Sequence, residues 1–532
     1  MSTHGAEADR PLVDPELLRL LDHPPVREIP HTRQIFVNRN LRMDSVEVVG
    51  FDMDYTLAIY RLRRIEELSF QMTLRRLIDS AGYPPDVAGL AYDWEFVIRG
   101  LVVDRECGNI FKMDRFNHVG RCYHGRKPLD ESEWKRLYRD QKLKVASSRF
   151  ASIDTLFALP EAALFAQIIE LFEGRGEKVD YAKLYDDIRR CIDEVHRDGS
   201  LKAEVRKDLG DFFLRDPEIG PALHKLRSGG KKLFLLTNSL FDYTDVVLGH
   251  LLSGLLPEYP SWRNYFDCVI VGAQKPTFFS DRLPFFEVDE HGHPTVEASS
   301  LERGRIYQGG NLADFERLIG FGGESVLYVG DHIYGDILRS KKSSLWRTAM
   351  IVQELEDELA YTDRNADEIR RLTELESLRA RLDDELNQRK LALNALEKRL
   401  DKGAVSDDSR ASVEAERRGQ KGELEQVRHA LRDVNHEIER IESTLEGGMN
   451  RYWGLLFKEG NENSRFGEQI EGYADLYTSR VSNLLAYSPM QYFRSPREFM
   501  PHERVAQNGN GKGAPSVLSP LGSEGPPKGS VA

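Results

Sequence analysis

Short, unbroken apolar runs recur along the first two thirds of the chain, and polar residues follow each of them. The runs are rich in Val, Ile, Leu and Phe and do not alternate with polar positions, which is typical of strands buried on both faces of a parallel sheet. Helical segments such as 215–228 lie between them, so the pattern predicts a doubly wound α/β core. The five runs lie within segments 45–57, 231–239, 268–275, 325–331 and 347–352.

The connection between the first two runs is unusually long. About 170 residues separate them, far more than one crossover helix requires. We therefore expect an inserted domain at roughly 60–215, and its pattern predicts that it is mostly helical. The α/β unit together with this insertion is predicted to span 29–352, after a polar N-terminal arm over residues 1–28.

The pattern changes to charged, heptad-like sequence from 353 to 447. Leu, Ile and Val recur at two seam positions on both sides of the polar segment 401–412, which predicts a long antiparallel, coiled-coil-like helical hairpin. Aromatic-rich sequence at 448–506 is expected to pack on the core or on an oligomer interface. Residues 507–532 are rich in Gly, Pro and Ser and are predicted to be disordered.

Composition narrows the class of protein. The chain has 532 residues, 40% of them hydrophobic, and a formal net charge of -13. This excludes a wholly disordered or collagen-like chain and argues against a nucleic-acid-binding surface over the whole protein. The four cysteines form no CxxC motif, and no apolar stretch approaches 18 residues. We therefore expect a cytoplasmic protein without membrane spans.

Two carboxylates directly follow the first apolar run, at Asp52 and Asp54. Ligands bind at the C-terminal ends of strands in open α/β sheets. One carboxylate could attack phosphorus while the other protonates the leaving oxygen. The alternative for an isolated Asp-x-Asp is a strand-ending residue with an Asx turn.

Other predicted strand ends favour the chemical interpretation. Thr237 and Asn238 offer a hydroxyl and an amide for phosphate oxygens, and Lys275 offers a positive charge. Asp331 and Asp336 form a second acidic pair that suits Mg²⁺. Taken singly, the Thr-Asn pair is more often a turn and the lysine a surface residue. Together, the strand ends predict a site for phosphoryl transfer.

The order DMDYT, TN, K and GDHIYGD resembles the haloacid dehalogenase (HAD) superfamily of aspartate-nucleophile phosphatases. Over roughly residues 30–505 the chain is also similar to the cytosolic purine 5′-nucleotidases that prefer IMP and GMP. The blocks that carry this similarity are FDMDYTLAIY, TLFALPE, DEVHRDGSLK, LLTNSLFDYT, GDHIYGDILRSKK and MPHE. The resemblance implies Mg²⁺-dependent hydrolysis of purine nucleoside 5′-monophosphates through an aspartyl-phosphate, and it allows a nucleoside phosphotransferase side activity.

The resemblance also implies a role for each catalytic residue. Asp52 would be the nucleophile and Asp54 the general acid and base. Mg²⁺ would contact the Asp52 carboxylate, the Asp54 carbonyl and Asp331, with Asp336 supporting this shell. The phosphate-binding set would be Thr237, Asn238, Ser239 and Lys275.

In this family the inserted domain forms a cap over the active site, so base recognition would come from the insertion at roughly 60–215. Phe157 and His196 would sandwich the purine. Arg189 and Asp193, four residues apart on one helix face, would read O6 and N1–H of a 6-oxopurine. Lys202 would approach the ribose or the phosphate. Without the resemblance, the simplest interpretation of Arg189 and Asp193 is an ion pair on the protein surface.

Two rival functions remain open at this point. The first is a phosphatase of the same mechanism that acts on another phosphomonoester. The second is a non-catalytic coiled-coil assembly protein built around the 353–447 hairpin. The chain differs from the animal members of the purine 5′-nucleotidase family at Ala158 and Arg197, which lie next to the residues expected to bind the base. A homodimer or a higher homo-oligomer is expected in either case.

Overall fold

The computed structural model of the protein describes residues 28–138, 143–401 and 407–497. The N-terminal arm through residue 27, the MPHE block at 500–503 and the C-terminal tail at 507–532 lie outside these residues. Within the described ranges, none of the helices combines the length and the apolar character that a bilayer crossing demands.

In the part of the chain that the structure describes, the strands form one large sheet and four smaller ones. Numbered along the chain, the strands are β1 (Phe36–Val37), β2 (Leu41–Arg42), β3 (Val48–Phe51), β4 (Ile59–Tyr60), β5 (Leu101–Asp104), β6 (Asn109–Met113), β7 (Val119–His124), β8 (Lys127–Pro128), β9 (Phe150–Ile153), β10 (Phe213–Leu214), β11 (Lys232–Leu236), β12 (Cys268–Val271), β13 (Phe285–Val288), β14 (Pro294–Glu297), β15 (Ile306–Gly309), β16 (Val326–Gly330), β17 (Arg347–Ile351), β18 (Lys458–Glu459), β19 (Glu462–Asn463), β20 (Leu476–Thr478) and β21 (Tyr492–Phe493).

The α-helices connect the strands, build the insertion and form the hairpin. Numbered in the same way, they are α1 (Leu62–Ala81), α2 (Glu131–Tyr138), α3 (Leu159–Gly174), α4 (Tyr181–Arg197), α5 (Ser200–Lys207), α6 (Leu209–Phe212), α7 (Ile219–Ser228), α8 (Phe241–Leu252), α9 (Leu312–Ile319), α10 (Arg339–Ser344), α11 (Leu355–Arg364), α12 (Ala366–Asp401), α13 (Asp407–Met449) and α14 (Arg465–Tyr473).

A ten-stranded sheet forms the centre of the molecule, in the order β1-β20-β17-β16-β3-β11-β12-β15-β13-β14. The seven strands from β20 to β15 are parallel to one another, and β1, β13 and β14 add antiparallel edges. All four residues of β3 are buried, as its unbroken apolar pattern requires. After β15 the chain returns to the other side of β3. This reversal confirms the predicted doubly wound α/β class.

The insertion is attached through a narrow neck. Strand β4 pairs antiparallel with β10, so the chain leaves and re-enters the core at adjacent points. Between these strands lie α1, α3, α4 and α5, together with an antiparallel sheet in the order β8-β7-β6-β5-β9. The insertion is therefore helical in large part, as expected, and it also contains a sheet that the sequence pattern did not reveal.

Helices α12 and α13 form the hairpin and pack against each other along most of their length. Leu396, Leu424 and Ile438 are among the buried residues of the apolar seam. Arg371, near the start of α12, forms an ion pair with Glu437, near the end of α13, as antiparallel packing requires.

Both ends of the described chain are built into the core. Strand β20 pairs in parallel with β17 and antiparallel with β1, while β2 pairs with β21. Beside β20, the buried Asp475 carboxylate lies 2.9 Å from Lys341 Nζ and 3.1 Å from Arg347 Nε. It also accepts a hydrogen bond from the amide of Thr348 at 3.0 Å. The C-terminal segment thus extends the large sheet.

Candidate active site

The predicted catalytic residues meet at the carboxyl edge of the large sheet. Asp52 directly follows β3, Thr237 follows β11, Lys275 lies four residues beyond β12, and Asp331 follows β16. The chain turns sharply after Asp52, and Tyr55 takes a left-handed conformation with φ of 58°. Because these strands are neighbours, four separate segments contribute to one site.

Three carboxylates form an acidic cluster. Oxygen atoms of Asp52, Asp331 and Asp336 lie within 4.8 Å of one another. Asp336 belongs to a π-helical turn, Ile333–Leu338, and folds back over the end of β16. A Cβ atom at Gly330 would lie 2.6 Å from the Asp336 carboxylate, so this position requires glycine. Few carboxylates plus open positions for water and phosphate suit Mg²⁺, and the donor set therefore fits that ion.

Lys275 bridges the acidic cluster. Its Nζ lies 2.9 Å from Asp52 Oδ1, 2.7 Å from Asp336 Oδ1 and 2.9 Å from the Tyr328 hydroxyl. Asn238 fixes the lysine through its main chain, because the Asn238 amide donates to the Lys275 carbonyl at 3.0 Å and its oxygen accepts from the Lys275 amide at 2.6 Å. The side chain of Asn238 thus positions Lys275, and its expected contact with phosphate stays a prediction.

Burial and neighbouring charges shift the pKa values of the ionisable groups in this cluster. Burial, together with the charges of Asp336 and Asp54, raises the pKa of Asp52, although Lys275 opposes the shift. Burial, together with the charges of Asp336 and Asp52, also raises the pKa of Asp331. Burial alone would favour a neutral Lys275, but Asp336 and Asp52 outweigh it and raise the pKa of the amine. The lysine is therefore a permanent cation in the site.

Asp54 lies in a separate hydrogen-bond network. Its Oδ1 accepts from the Tyr60 hydroxyl and its Oδ2 from the Ser239 hydroxyl, both at 2.7 Å. Tyr60 also pairs with the Tyr243 hydroxyl at 2.8 Å, and Lys202 Nζ donates to Ser239 Oγ at 3.0 Å. Sequence reasoning missed both tyrosines, although each lies inside a block that carries the family resemblance.

Beside Asp54 is a catalytic cavity of about 160 Å³, and Phe157, His196, Lys202, Asn238 and Ser239 are among the residues that line it. The Phe157 and His196 rings contact each other edge to face, with centroids 5.5 Å apart and planes at 86°. This edge-to-face contact leaves too little room for a base between the two rings. His196 Nδ1 donates to the Ile192 carbonyl at 2.7 Å, and burial lowers the pKa of this imidazole.

The two predicted base readers lie outside the catalytic cavity lining. Arg189 Nη1 donates to the buried carboxylate of Glu161 at 2.7 Å, while its Nε is 3.8 Å from Asp193 Oδ2. Both Arg189 and Asp193 have half-exposed side chains. The structure brings Phe157, His196 and Lys202 to the site and leaves this pair at its periphery.

Arg99 is a further residue that sequence reasoning missed. Its side chain is fully buried, binds both carboxylate oxygens of Glu354 at 2.8 and 2.5 Å, and donates to the main-chain carbonyl of Asp331 at 3.1 Å. It is the single charge in the apolar run FVIRGLVV at 96–103. Such an isolated charge is a usable signal, because buried charges are almost always paired.

Thr237 has a structural contact in addition to its predicted role. The Thr237 side chain is fully buried, and its Oγ1 accepts a hydrogen bond from the Ser239 amide at 3.1 Å. This hydrogen bond stabilises the turn after β11.

Comparison with known proteins identifies the family. A model of the 5′ nucleotidase family matches residues 35–505, which is most of the chain. The chain belongs to the 5′ nucleotidase family. This confirms the predicted family and the predicted enzyme class, a 5′-nucleotidase. The match covers the core, the insertion and the hairpin alike.

Two relatives resemble this family member over most of its length. Human 5′-nucleotidase domain-containing protein 2 is 32% identical over 501 residues, covering 92% of this chain and 88% of the relative. The 5′-nucleotidase domain-containing protein DDB_G0275467 of Dictyostelium discoideum is 30% identical over 479 residues, covering 88% and 75%.

Solved structures show weaker likeness. A predicted phosphoglycolate phosphatase from Haemophilus somnus has 12% identity and a TM-score of 0.24, covering 58% of this chain and 86% of that one. CbbY from Rhodobacter sphaeroides, solved with phosphate, has 13% identity and a TM-score of 0.22, covering 57% and 86%. At these scores the likeness supports no functional conclusion.

Proposed function

We propose that this protein is a Mg²⁺-dependent 5′-nucleotidase that hydrolyses purine nucleoside 5′-monophosphates, with IMP and GMP preferred, through an aspartyl-phosphate. The observation that carries the proposal is the buried cluster of Asp52, Lys275, Asp331 and Asp336, with Asp54 two residues beyond the nucleophile position. Family membership supports the general activity, and the cluster supports the chemistry.

The chain supplies each group that the reaction needs. An Asp52 carboxylate oxygen attacks phosphorus, and the bond from phosphorus to O5′ breaks. Protonated Asp54 gives its proton to O5′, so that the nucleoside leaves as an alcohol. Asp54 then takes a proton from water as that water attacks phosphorus, which restores Asp52 and releases phosphate. Lys275 neutralises negative charge on the phosphoryl oxygens throughout.

The acidic cluster would hold the cation. Asp52, Asp331 and the main-chain carbonyl of Asp54 are the proposed ligands, and Asp336 orients them. When bound, Mg²⁺ supplies positive charge that stabilises the phosphoryl oxygens. We expect EDTA to abolish phosphate release and Mg²⁺ to restore it.

Phe157 and His196 are the proposed base-binding residues. Their rings lie in the wall of the same cavity as Asp54, close to the expected position of the leaving nucleoside. Small-molecule pockets have volumes of roughly 300–1,000 Å³, and the catalytic cavity is smaller than this. The two rings must therefore separate for a purine to stack between them.

A second candidate is a phosphatase for another phosphomonoester. One observation favours it: Arg189 is bound to Glu161 and lies outside the cavity, so it does not contact a base in this conformation. In that case the Phe157–His196 contact would be part of the cap packing and would not open.

A panel of nucleoside monophosphates, assayed for phosphate release, distinguishes the candidates. If Arg189 and Asp193 read a 6-oxopurine, bound AMP would cover both side chains without pairing them, and each group left unpaired on burial costs ~1–3 kcal/mol. We then expect kcat/KM for GMP and IMP to exceed that for AMP by ~10²-fold or more. Pyrimidine monophosphates should also be poor substrates.

Variants of one helix supply the matched controls. Asp193→Ala should reduce the preference for GMP over AMP and leave hydrolysis of 4-nitrophenyl phosphate largely intact. Arg190→Ala and Glu194→Ala remove an exposed charge pair from the same helix and should change neither. Equal turnover of AMP and GMP by the wild type would refute the base assignment and favour the second candidate.

A further inference from the structure

A second cavity, of about 700 Å³, lies at the neck of the insertion. We call it the neck cavity and define it by Ile59–Arg64, Trp94, Leu214, Gln353 and Met449. Its walls come from both neck strands, from the segment before α11 and from the end of the hairpin. Apolar side chains and charged or polar side chains contribute about equally to the lining, and the volume is in the range of small-molecule sites.

Gln353 is a polar group without a partner in this wall. Its amide nitrogen and its amide oxygen are both buried, and neither forms a hydrogen bond within the part of the chain that the structure describes. A buried group without a partner costs ~1–3 kcal/mol. A ligand in the neck cavity would offset this cost, because rotation of the side chain can turn the amide toward it.

Trp94 and Arg63 form a ready-made stack in the same wall. The guanidinium carbon of Arg63 lies 3.3 Å from the centre of the Trp94 ring, and 42% of Trp94 is exposed. Neither Arg63 nor its neighbour Arg61 has an acidic side chain within 4 Å among the described residues. The stack thus offers a flat surface next to two cations that lack acidic partners.

The acidic residues of the neck cavity are mostly engaged. Glu354 and Glu356 pair with arginines, and Glu358 accepts hydrogen bonds from two backbone amides. Burial raises the pKa of Glu66 to about 7, although a hydrogen bond from a tyrosine opposes the shift. The fifth carboxylate, Asp357, is exposed. The charge available to a ligand is therefore positive at the arginine side.

We propose that the neck cavity binds a small planar aromatic compound that carries an anionic group. The ring would stack on the Trp94–Arg63 surface, and the anion would be held by Arg61 and Arg63. The Gln353 amide would pair with a polar substituent of the ring. This assignment rests on the geometry of the neck cavity and does not require the proposed nucleotidase activity.

The neck cavity is connected to the catalytic carboxylates by two contacts. Tyr60 lines both cavities and donates to Asp54. Glu354 lines the neck cavity and holds Arg99, which in turn donates to the Asp331 carbonyl. A ligand that moves Tyr60 or Glu354 thus changes the position of a catalytic residue. Binding here should therefore alter turnover.

Isothermal titration calorimetry of the full chain with naphthalene-2-carboxylate tests the site. We expect saturable binding with one molecule per chain. Leu214→Trp places a bulky ring in the space that the ligand would occupy and Arg63→Gln removes a cation, so each should weaken binding at least tenfold. Val296→Trp, at an exposed position of β14, is the matched control and should bind like the wild type. Cyclohexanecarboxylate, which lacks the flat ring, should bind at least tenfold more weakly.

Two results would overturn the site: no saturable binding by the wild type at millimolar ligand, or equal affinity in Leu214→Trp and wild type. For the coupling, saturating naphthalene-2-carboxylate should change kcat/KM for GMP by about fivefold or more, and an unchanged value refutes it. Calorimetry needs no turnover, so failure of the proposed nucleotidase activity leaves the binding test intact.

Discussion

Replacing Asp52 by Asn should separate catalysis from stability. An amide cannot form an acyl phosphate, so turnover should fall to the background rate. The fold should survive, because the carboxylate lies among like charges as well as beside Lys275. The amide oxygen of the Asp52→Asn variant can still accept a hydrogen bond from the lysine, which also keeps its 2.7 Å pair with Asp336.

The structure sets the balance of charges. The 2.9 Å pair with Lys275 gives ~6 kcal/mol of attraction at an effective dielectric constant of ~20. Ionised Asp336, with an oxygen within 4.8 Å, gives ~3.5 kcal/mol or more of repulsion, and burial, the largest cause of the raised Asp52 pKa, disfavours the charge further. The terms nearly cancel. We expect the unfolding free energy of Asp52→Asn in EDTA to equal or exceed that of the wild type.

Urea unfolding in EDTA and phosphate release with Mg²⁺ are the two assays. Asp475→Asn is the control, since Asp475 is also buried but has only cations and a backbone amide beside its carboxylate in the described structure. It should lose ~3–5 kcal/mol. A loss of that size in Asp52→Asn would show that the lysine pair dominates the cluster, and wild-type turnover would refute the nucleophile assignment.

Three further predictions follow from other residues. Asp54→Asn should lower kcat on GMP by ~10²–10⁴-fold. The leaving group of 4-nitrophenyl phosphate needs no proton, so the same variant should still release one nitrophenol per chain in a rapid burst. Because burial raises the Glu66 pKa from 4.5 to about 7, wild-type stability should decline as pH rises between these values. Urea unfolding of Glu66→Gln should show a smaller decline, because Asp52 and Asp331, whose pKa values burial also raises, remain in the variant, and identical pH profiles would contradict the assignment. Light scattering at micromolar concentration should show a homodimer or a larger homo-oligomer, so a monomer would contradict the expected assembly.

The sequence predicted the core strands well because their apolar runs are unbroken. Runs at 231–239, 325–331 and 347–352 contain β11, β16 and β17. Strand β15 was missed because its sequence, IYQG, contains a glutamine and a glycine and so lacks an unbroken apolar run, although the strand pairs with β12 inside the sheet. Strand β20 was missed because its partner β17 lies more than a hundred residues earlier, a pairing that no local pattern encodes.

The site residues that lie at the ends of strands could be predicted from the sequence. Asp52, Lys275 and Asp331 meet because parallel neighbours end at one edge. The contacts of Asn238 with Lys275 and of Arg189 with Glu161 were not predictable. In both cases the partner comes from a separate segment, and a local motif shows which side chain is present without showing what occupies its hydrogen bonds.

The pairing of β20 with β17 bears on how the chain folds as it leaves the ribosome. Six strands of the parallel sheet are synthesised by residue 351, but β20 emerges only after the whole hairpin. Until then β17 has an open edge, and unpaired edges invite association with other chains. The long hairpin thus delays closure of the catalytic sheet, and a nascent chain halted before residue 478 would carry an exposed, aggregation-prone strand.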